Sequence, residues 1–337
     1  MDIKEKELWI KLYDIAKKIQ VLQPWKVLID SNILTYLSDE FKDVFYCSVM
    51  GYYGMYKAVA VYKGDQICGF NDFASNDYPD RMLLNYQECM ICNFVERKKV
   101  LSGNKKIIKE LGLKFRGVWI SFENYEKGYE PSPLNIEQVK IMTKALENFY
   151  MMFKSYIENK IEVKFEKGET LTRNYDKKNK VYIDYISRLY IPPKEYNIIG
   201  IDGGFEENMK NLPVNNMELE LEFLSYIPLI IRANKEKDGR YYYPRMRFLV
   251  DRKSHYVIIK DFIDKKTYNS EYEYVVETFE KLISFIQKYG KPKVIYVRDK
   301  ETKFYLKEFE EKSKIKIKIS PKLREIDKLY DMLENMN

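Results

Sequence analysis

The chain has 337 residues, 45% hydrophobic and 32% charged, with a net charge of +7. That balance is typical of globular proteins, and the length predicts two domains, each able to bury its own core. No apolar run reaches the roughly 20 residues that a membrane-crossing helix needs. The opening MDIKEKELWIKLYDIAKKI alternates charge with apolar residues where a signal peptide would carry an apolar block, which predicts a cytoplasmic protein and no membrane partner.

Residues 3–20 read as an amphipathic helix, with Leu8, Ile10, Leu12, Ile15, Ala16 and Ile19 near one face, ended by Pro24 and Trp25. KVLID (26–30) is predicted as a strand. FYCSVM (45–50) and YKAVAVYKG (56–64) are predicted as a hairpin around GYYG, which has glycine at both ends. Helices are predicted over 79–98 and 103–112, then a strand at WISFEN (119–124). Asn135 or a neighbour caps a long helix to about residue 159. IEVKFEKGET and KVYIDYISR then form a strand pair. Residues 1–190 thus make an α+β domain. Residues 191–216, punctuated by Pro192, Pro193, Gly200, Gly203, Gly204 and Pro213, read as a linker. GIDGGFEENM within it has the glycines of a phosphate loop but lacks the G-x-x-x-x-G-K-[ST] pattern.

From 217 to 337 the pattern changes. ELELEFLSYIPLIIRA, YYYPRMRFLVD and SHYVIIKDF are three successive strands. A helix over 271–289 follows, with Gly290 as its stop signal. PKVIYVRD is a short buried strand, followed by a helix over 302–313, the strand KIKIKIS (314–320) and a last helix over 321–335. KIKIKIS puts Lys314, Lys316 and Lys318 on one face. Those lysines suit an edge strand guarded against aggregation or a stripe that contacts phosphates. From Lys291 to Arg324 twelve Lys or Arg stand against five Asp or Glu, which extends the candidate anion-binding set to Lys322 and Arg324.

Cys89 and Cys92 form a C-x-x-C, but the stretch is predicted to be helical and the only histidine, His255, lies in the other domain. Buried thiols, and no structural zinc, are the expectation. The scarcity of histidine also removes most nucleophile–base arrangements.

The order β-β-β-α-β-α-β-α of the C-terminal part resembles the RNase H-like fold of nucleases and integrases, a mixed five-stranded sheet with helices. That part, with its Y-x-P-x-x-x-x-L-V-D hairpin and KPKVIYVRD strand, is similar to a family of uncharacterised bacterial and archaeal proteins. The N-terminal part resembles the uncharacterised domain often fused ahead of it, through LQPWKVL (22–28), YCSVMG (46–51), AVYKG (60–64), LGLKFRG (111–117) and GYEP (128–131). The RNase H resemblance implies two divalent metals held by carboxylates from strand one, the end of strand four and a late helix. Asp299 stands at the strand-four position, and the late helix offers Glu325, Asp327, Asp331 and Glu334. Strand one has Glu218, Glu220 and Glu222 near its start but no central Asp. Asp251 reads as a turn former, and the Asn-Gly that usually follows the strand-four Asp is here Lys300-Glu301.

These features predict a non-catalytic or degenerate RNase H-like protein that binds nucleic acid, an accessory factor in mobile-element or defence biology, with no cofactor. One alternative is a protein-interaction module using the aromatic patches at Tyr52 and Tyr53 and at Tyr241 and Tyr242. A second is a Mg²⁺- or Mn²⁺-dependent nuclease built on Asp299, Asp251, Asp327 and Asp331.

Overall fold

The computed structural model describes residues 1–335 except 55, 195, 197, 198, 202, 203, 227–233, 237 and 238. The fold is α+β and separates into two compact units. The first comprises Met1–Asn71, Gln87–Glu126 and Pro131–Pro193; the second comprises Asp72–Tyr86, Lys127–Glu130 and Lys194–Asn337. Two short segments from the N-terminal half therefore pack with the C-terminal half. Among the described residues no helix is long and apolar enough to cross a membrane.

The chain opens with α1 (Ile3–Leu22), held at its start by a capping box between Asp2 and Glu5. The strands β1 (Leu34–Ser38), β2 (Asp43–Met50) and β3 (Lys57–Lys63) follow, then α2 (Ile67–Ala74), α3 (Leu83–Tyr86) and β4 (Cys89–Glu96). After α4 (Ser102–Glu110) come β5 (Val118–Tyr125), β6 (Ser132–Pro133) and α5 (Ile136–Glu158), and then the hairpin β7 (Glu169–Asp176) and β8 (Val181–Arg188). Asn135 caps α5 through a box with Gln138. The strands form one sheet in the order β6-β5-β4-β3-β2-β1-β7-β8, antiparallel except for the parallel pair β1 and β7. α1 and α5 bury Leu12, Tyr13, Leu146, Phe149 and Phe153 on one face of it. The β2–β3 hairpin turns at Gly51 and Gly54, both at positive φ (+116° and +88°), and Gly54 donates its N–H to the Gly51 carbonyl.

Three local expectations for this unit need correction. Residues 79–98 are not one helix: after a short α3 the chain forms β4, the strand between β3 and β5. Seven of its eight residues are buried, so it shows no alternation, and an apolar run of that kind cannot be told from a buried helix by periodicity. KVLID is not a strand, because Asn32 closes a turn on Ile29 through both its side chain and its backbone N–H. The strand preceding the KVYIDYISR strand starts at Glu169, after the left-handed Gly168, and 161–168 is not extended.

In the second unit α6 (Gly204–Lys210) precedes β9 (Glu218–Glu222), the small pair β10 (Asn234–Lys235) and β11 (Tyr241–Tyr242), then β12 (Arg245–Asp251) and β13 (Val257–Ile263). α7 (Glu271–Tyr289) is followed by β14 (Val294–Val297), α8 (Lys300–Tyr305), α9 (Lys307–Ser313), β15 (Lys316–Ile319) and α10 (Arg324–Glu334). The stretch read as a linker thus carries α6, whose Phe205 and Met209 join the core. The helix expected over 302–313 divides at Leu306. The end of the expected first strand, 227–233, lies outside the described residues.

The five strands are ordered β13-β12-β9-β14-β15. β12 runs antiparallel to β9 and β13, while β14 runs parallel to β9 and β15. Numbered along the chain, that order is 3-2-1-4-5. One sheet face, with Leu219, Leu221, Ile295, Val297 and Ile317, packs with the α7 residues Val275, Phe279, Leu282 and Ile286. The other face carries Met246, Phe248 and Val250 against Leu323, Ile326 and Tyr330 at and within α10.

Candidate functional site

Strand alternation decides which side chains meet on the α10 face. In β9, Leu219 and Leu221 point into the α7 core, so Glu220 and Glu222 point to α10. In β14, Ile295 and Val297 share the α7 core, which sends Tyr296 and Arg298 to the α10 side and Asp299 away from it. The register pairs Tyr296 with Glu220 and Val297 with Leu221, so Arg298 arrives beside Glu222.

There Arg298 forms five hydrogen bonds. Its Nε and Nη2 donate to Glu222 Oε1 and Oε2, each at 2.7 Å, in a two-pronged fork. Nη2 also donates to Asp327 Oδ1 at 2.8 Å, and Nη1 to the Pro321 carbonyl at 2.8 Å and Asp327 Oδ2 at 3.5 Å. Arg298 and Glu222 are 1% and 2% exposed, respectively. Burial opposes the guanidinium charge, but Glu222 and then Asp327 outweigh it, so Arg298 stays charged far above its ordinary range. Burial pushes the Asp327 carboxyl above its usual range, although Arg298 pulls it down. Ser225 donates its hydroxyl to Glu222, completing the cluster.

Glu220 anchors the same helix from the neighbouring position. α10 has no side-chain cap of its own; Glu220 Oε2 instead accepts the backbone N–H groups of Glu325 (2.8 Å) and Ile326 (3.0 Å). Its Oε1 lies 3.0 Å from Arg252 Nε, close enough for an ion pair but not aligned for a hydrogen bond. Burial raises the Glu220 carboxyl, and the two backbone donors partly offset it.

Asp299 sits on the opposite side of the strand end. Its Oδ1 accepts the Thr302 N–H at 2.7 Å, capping α8, and its Oδ2 accepts the Tyr86 hydroxyl at 2.9 Å. Burial drives its pKa upward. Asp251 accepts from the Ser254 N–H and hydroxyl and from the Glu218 N–H, so it shapes the turn that places His255 at φ +61°. Asp331 pairs with Arg81, which also reaches Glu334 at 3.2 Å. Of Asp299, Asp251, Asp327 and Asp331, only Asp327 enters the β9–β14 cluster. Among the described residues no group of three or more His, Cys, Asp or Glu is arranged to hold a metal ion. Cys89 and Cys92 belong to different cores on opposite sheet faces, so the C-x-x-C cannot close on one ion.

The candidate cations divide. Lys316 and Lys318 are exposed on β15, an outer strand of the sheet, and Lys318 lies 6.0 Å from the Tyr296 ring centre. Arg252 stacks on the same ring at 4.1 Å, giving a basic, aromatic half-face beside the part that α10 covers. Lys314 caps α9 in the left-handed region, Lys322 pairs with Asp77 at 2.5 Å, and Arg324 lies 3.4 Å from Glu325. Tyr52 and Tyr53 are exposed at the hairpin tip and Tyr241 is half-exposed. Tyr242 is a core residue, 2% exposed, bonded to Asp264, and is not available to a partner. Sequence reading noted Glu220 and Glu222 on strand one without giving them a role, read Arg298 only as a cation beside Asp299, and passed over Arg252 and Tyr296. Alternation along VIYVRD and ELELE was the signal that could have found them.

Residues 9–173 match a family model described as Domain of unknown function (DUF7309), and residues 207–334 match a second, Domain of unknown function (DUF6930). No curated protein and no solved structure matches significantly.

Proposed function

We propose that this chain, which joins those two domains of unknown function, is a catalytically silent RNase H-like protein that binds nucleic acid through its second unit. The 3-2-1-4-5 strand order, with strand two antiparallel, supports the fold reading. The observation that carries the functional reading is Arg298. The ions implied by an RNase H-like site would need Glu222 and Asp327 as ligands, and a guanidinium with both carboxylates on its donors stands between them. The residues present do not fit such ions. Metal-assisted phosphodiester cleavage therefore has no place here, and Asp299, turned to the other face, caps a helix.

Binding survives such a change because it needs cations and a stacking surface rather than carboxylates. Lys318 and Arg252 against the Tyr296 ring, with Lys316 farther along β15, supply both. The test is fluorescence anisotropy with single-stranded DNA and RNA oligonucleotides between 50 and 200 mM salt. Wild type should bind with an affinity that falls steeply with salt. The Lys316→Glu, Lys318→Glu double variant should lose at least about tenfold and flatten the salt slope by roughly two units. Mg²⁺ and Mn²⁺ should give no cleavage. No binding at 50 mM salt, or binding indifferent to the double variant, refutes the proposal.

A further inference from the structure

The outer edge of β8 lacks the short length, proline or lysine that guard the other sheet edges. An unpaired strand edge presents free N–H and C=O groups, and proteins protect it with short length, proline or lysine. β6, at the far end of the same sheet, has two residues and ends in Pro133. In the five-stranded sheet, β13 exposes Lys260 and β15 exposes Lys316 and Lys318. β8 is eight residues long, ends its sheet, and has no lysine or proline within it. Val181, Tyr182, Ile183, Tyr185 and Ile186 are each 38–49% exposed, on both faces of the strand.

We propose that this edge pairs, antiparallel, with β8 of a second copy of this chain, joining the two sheets across a two-fold axis at Ile186. Backbone direction restricts the register. Leu189 donates its N–H inward to Gly168, so by alternation Ile183, Tyr185 and Ser187 also face β7. Asp184, Ile186 and Arg188 then turn their backbone groups outward, so they exchange hydrogen bonds with outward-facing residues of the second copy, while inward-facing residues lie opposite one another without hydrogen bonds. A centre at Tyr185 would set Asp184 against Ile186 and Arg188 against Tyr182, with no charge pair. Pairing Ile186 with Ile186 of the second copy sets Asp184 opposite Arg188 twice, once on each side of the axis. Pairing Asp184 with itself would oppose two carboxylates and set Arg188 against Lys180. Pairing centred on Tyr182 runs off the strand into the turn at 177–180. The Asp184 carboxylate is held in place by Arg173, whose Nη1 donates to both Oδ1 (2.7 Å) and Oδ2 (2.9 Å). This self-complementary charge pattern is why the occupant is a second copy rather than another protein. The inference concerns the first unit and does not depend on nucleic-acid binding.

Sedimentation velocity of the full chain across a hundredfold concentration range should show the mass rising from one chain toward two. Ile183→Lys with Ile186→Lys, both at exposed positions, should stay at one chain with an unchanged circular-dichroism spectrum. Arg188→Glu should weaken dimerisation at least about tenfold, because it sets like charges opposite each other twice. Register is tested by cysteine. Ile186→Cys should cross-link to itself under mild oxidation, since paired strands bring Cα atoms to about 5.5 Å, within disulfide range, whereas Tyr185→Cys, opposite Ser187, should not. A wild type that stays monomeric throughout, a dimer that survives the double lysine variant, or an Ile186→Cys dimer that fails to cross-link would each overturn the proposal.

Discussion

Replacing Arg298 with methionine tests the central cluster most directly. Methionine fills much of the same volume but removes the cation and its five hydrogen bonds to Glu222, Asp327 and the Pro321 carbonyl. Glu222 is 2% exposed, so water cannot replace them. Breaking a buried pair by removing one partner costs about 3–5 kcal/mol, a large part of the 5–15 kcal/mol that typically holds a domain together. If Arg298 made only a solvated surface pair, the loss would be about 0–1 kcal/mol. A chain of two compact units need not unfold in one step, so the readout is hydrogen exchange resolved to β9, β14 and α10 rather than a single melting temperature.

The deficit should depend on pH with a definite sign. Burial already raises the Asp327 carboxyl despite Arg298, and removing the cation raises it further. A carboxyl whose folded pKa exceeds its unfolded one favours the folded state when protonated, and that advantage is lost as pH rises through the folded value. The deficit should therefore be largest near pH 7 to 8 and shrink toward pH 5. Adding Glu222→Gln to Arg298→Met should recover part of the loss, because it removes an orphaned charge. A deficit below about 1 kcal/mol, or one flat in pH, would refute the account.

Asp299→Asn should be neutral or slightly stabilising at pH 7, because asparagine caps as well as aspartate and carries no charge for burial to penalise. Chemical denaturation should show that advantage vanishing as pH falls toward the ordinary aspartate range. Glu220→Ala should cost about 1–2 kcal/mol and speed exchange at the start of α10, whose Glu325 and Ile326 N–H groups it caps. Asn85→Ala should cost roughly 2–3 kcal/mol by denaturant melt, since Asn85 satisfies both the N–H and the C=O of buried Tyr226.

The element order of the second unit could be read from the sequence because its signals are local. The α7 stripe, the Gly290 stop and the Lys–Ile alternation of KIKIKIS each fix an element without reference to the rest. β4 could not be read so, because a strand buried on both faces shows no period. The C-x-x-C was placed on a helix face for the same reason, when a strand in fact splits its cysteines between two cores. The site failed at the scale of one residue. Asp299 has the right type and the right chain position, but Arg298, its neighbour, has the right face. The contribution of 72–86 to the second unit left no local trace: nothing near Asn85 or Tyr86 announces a partner 141 or 213 residues away.

Glu220 and Glu222 of β9, with Asp327, hold α10 in place. Glu220 caps its first turn, Glu222 clamps Arg298, and Arg298 in turn holds Asp327 and the Pro321 carbonyl just ahead of the helix. Leu323, Ile326 and Tyr330 then seal the apolar half of the contact. A buried ion cluster of this kind adds little net stability over a hydrophobic replacement, but it is intolerant of partial loss. Its effect here is to fix where α10 lies on the sheet, and so how much of that face stays open. The open part is bounded by Tyr296, with Arg252 and Lys318 against its ring. Any shift of α10 along the sheet would alter that half-face. If the second unit binds nucleic acid as proposed, Arg298→Met should therefore weaken oligonucleotide binding without altering Lys316 or Lys318, whereas Asp299→Asn, on the opposite face, should leave it unchanged.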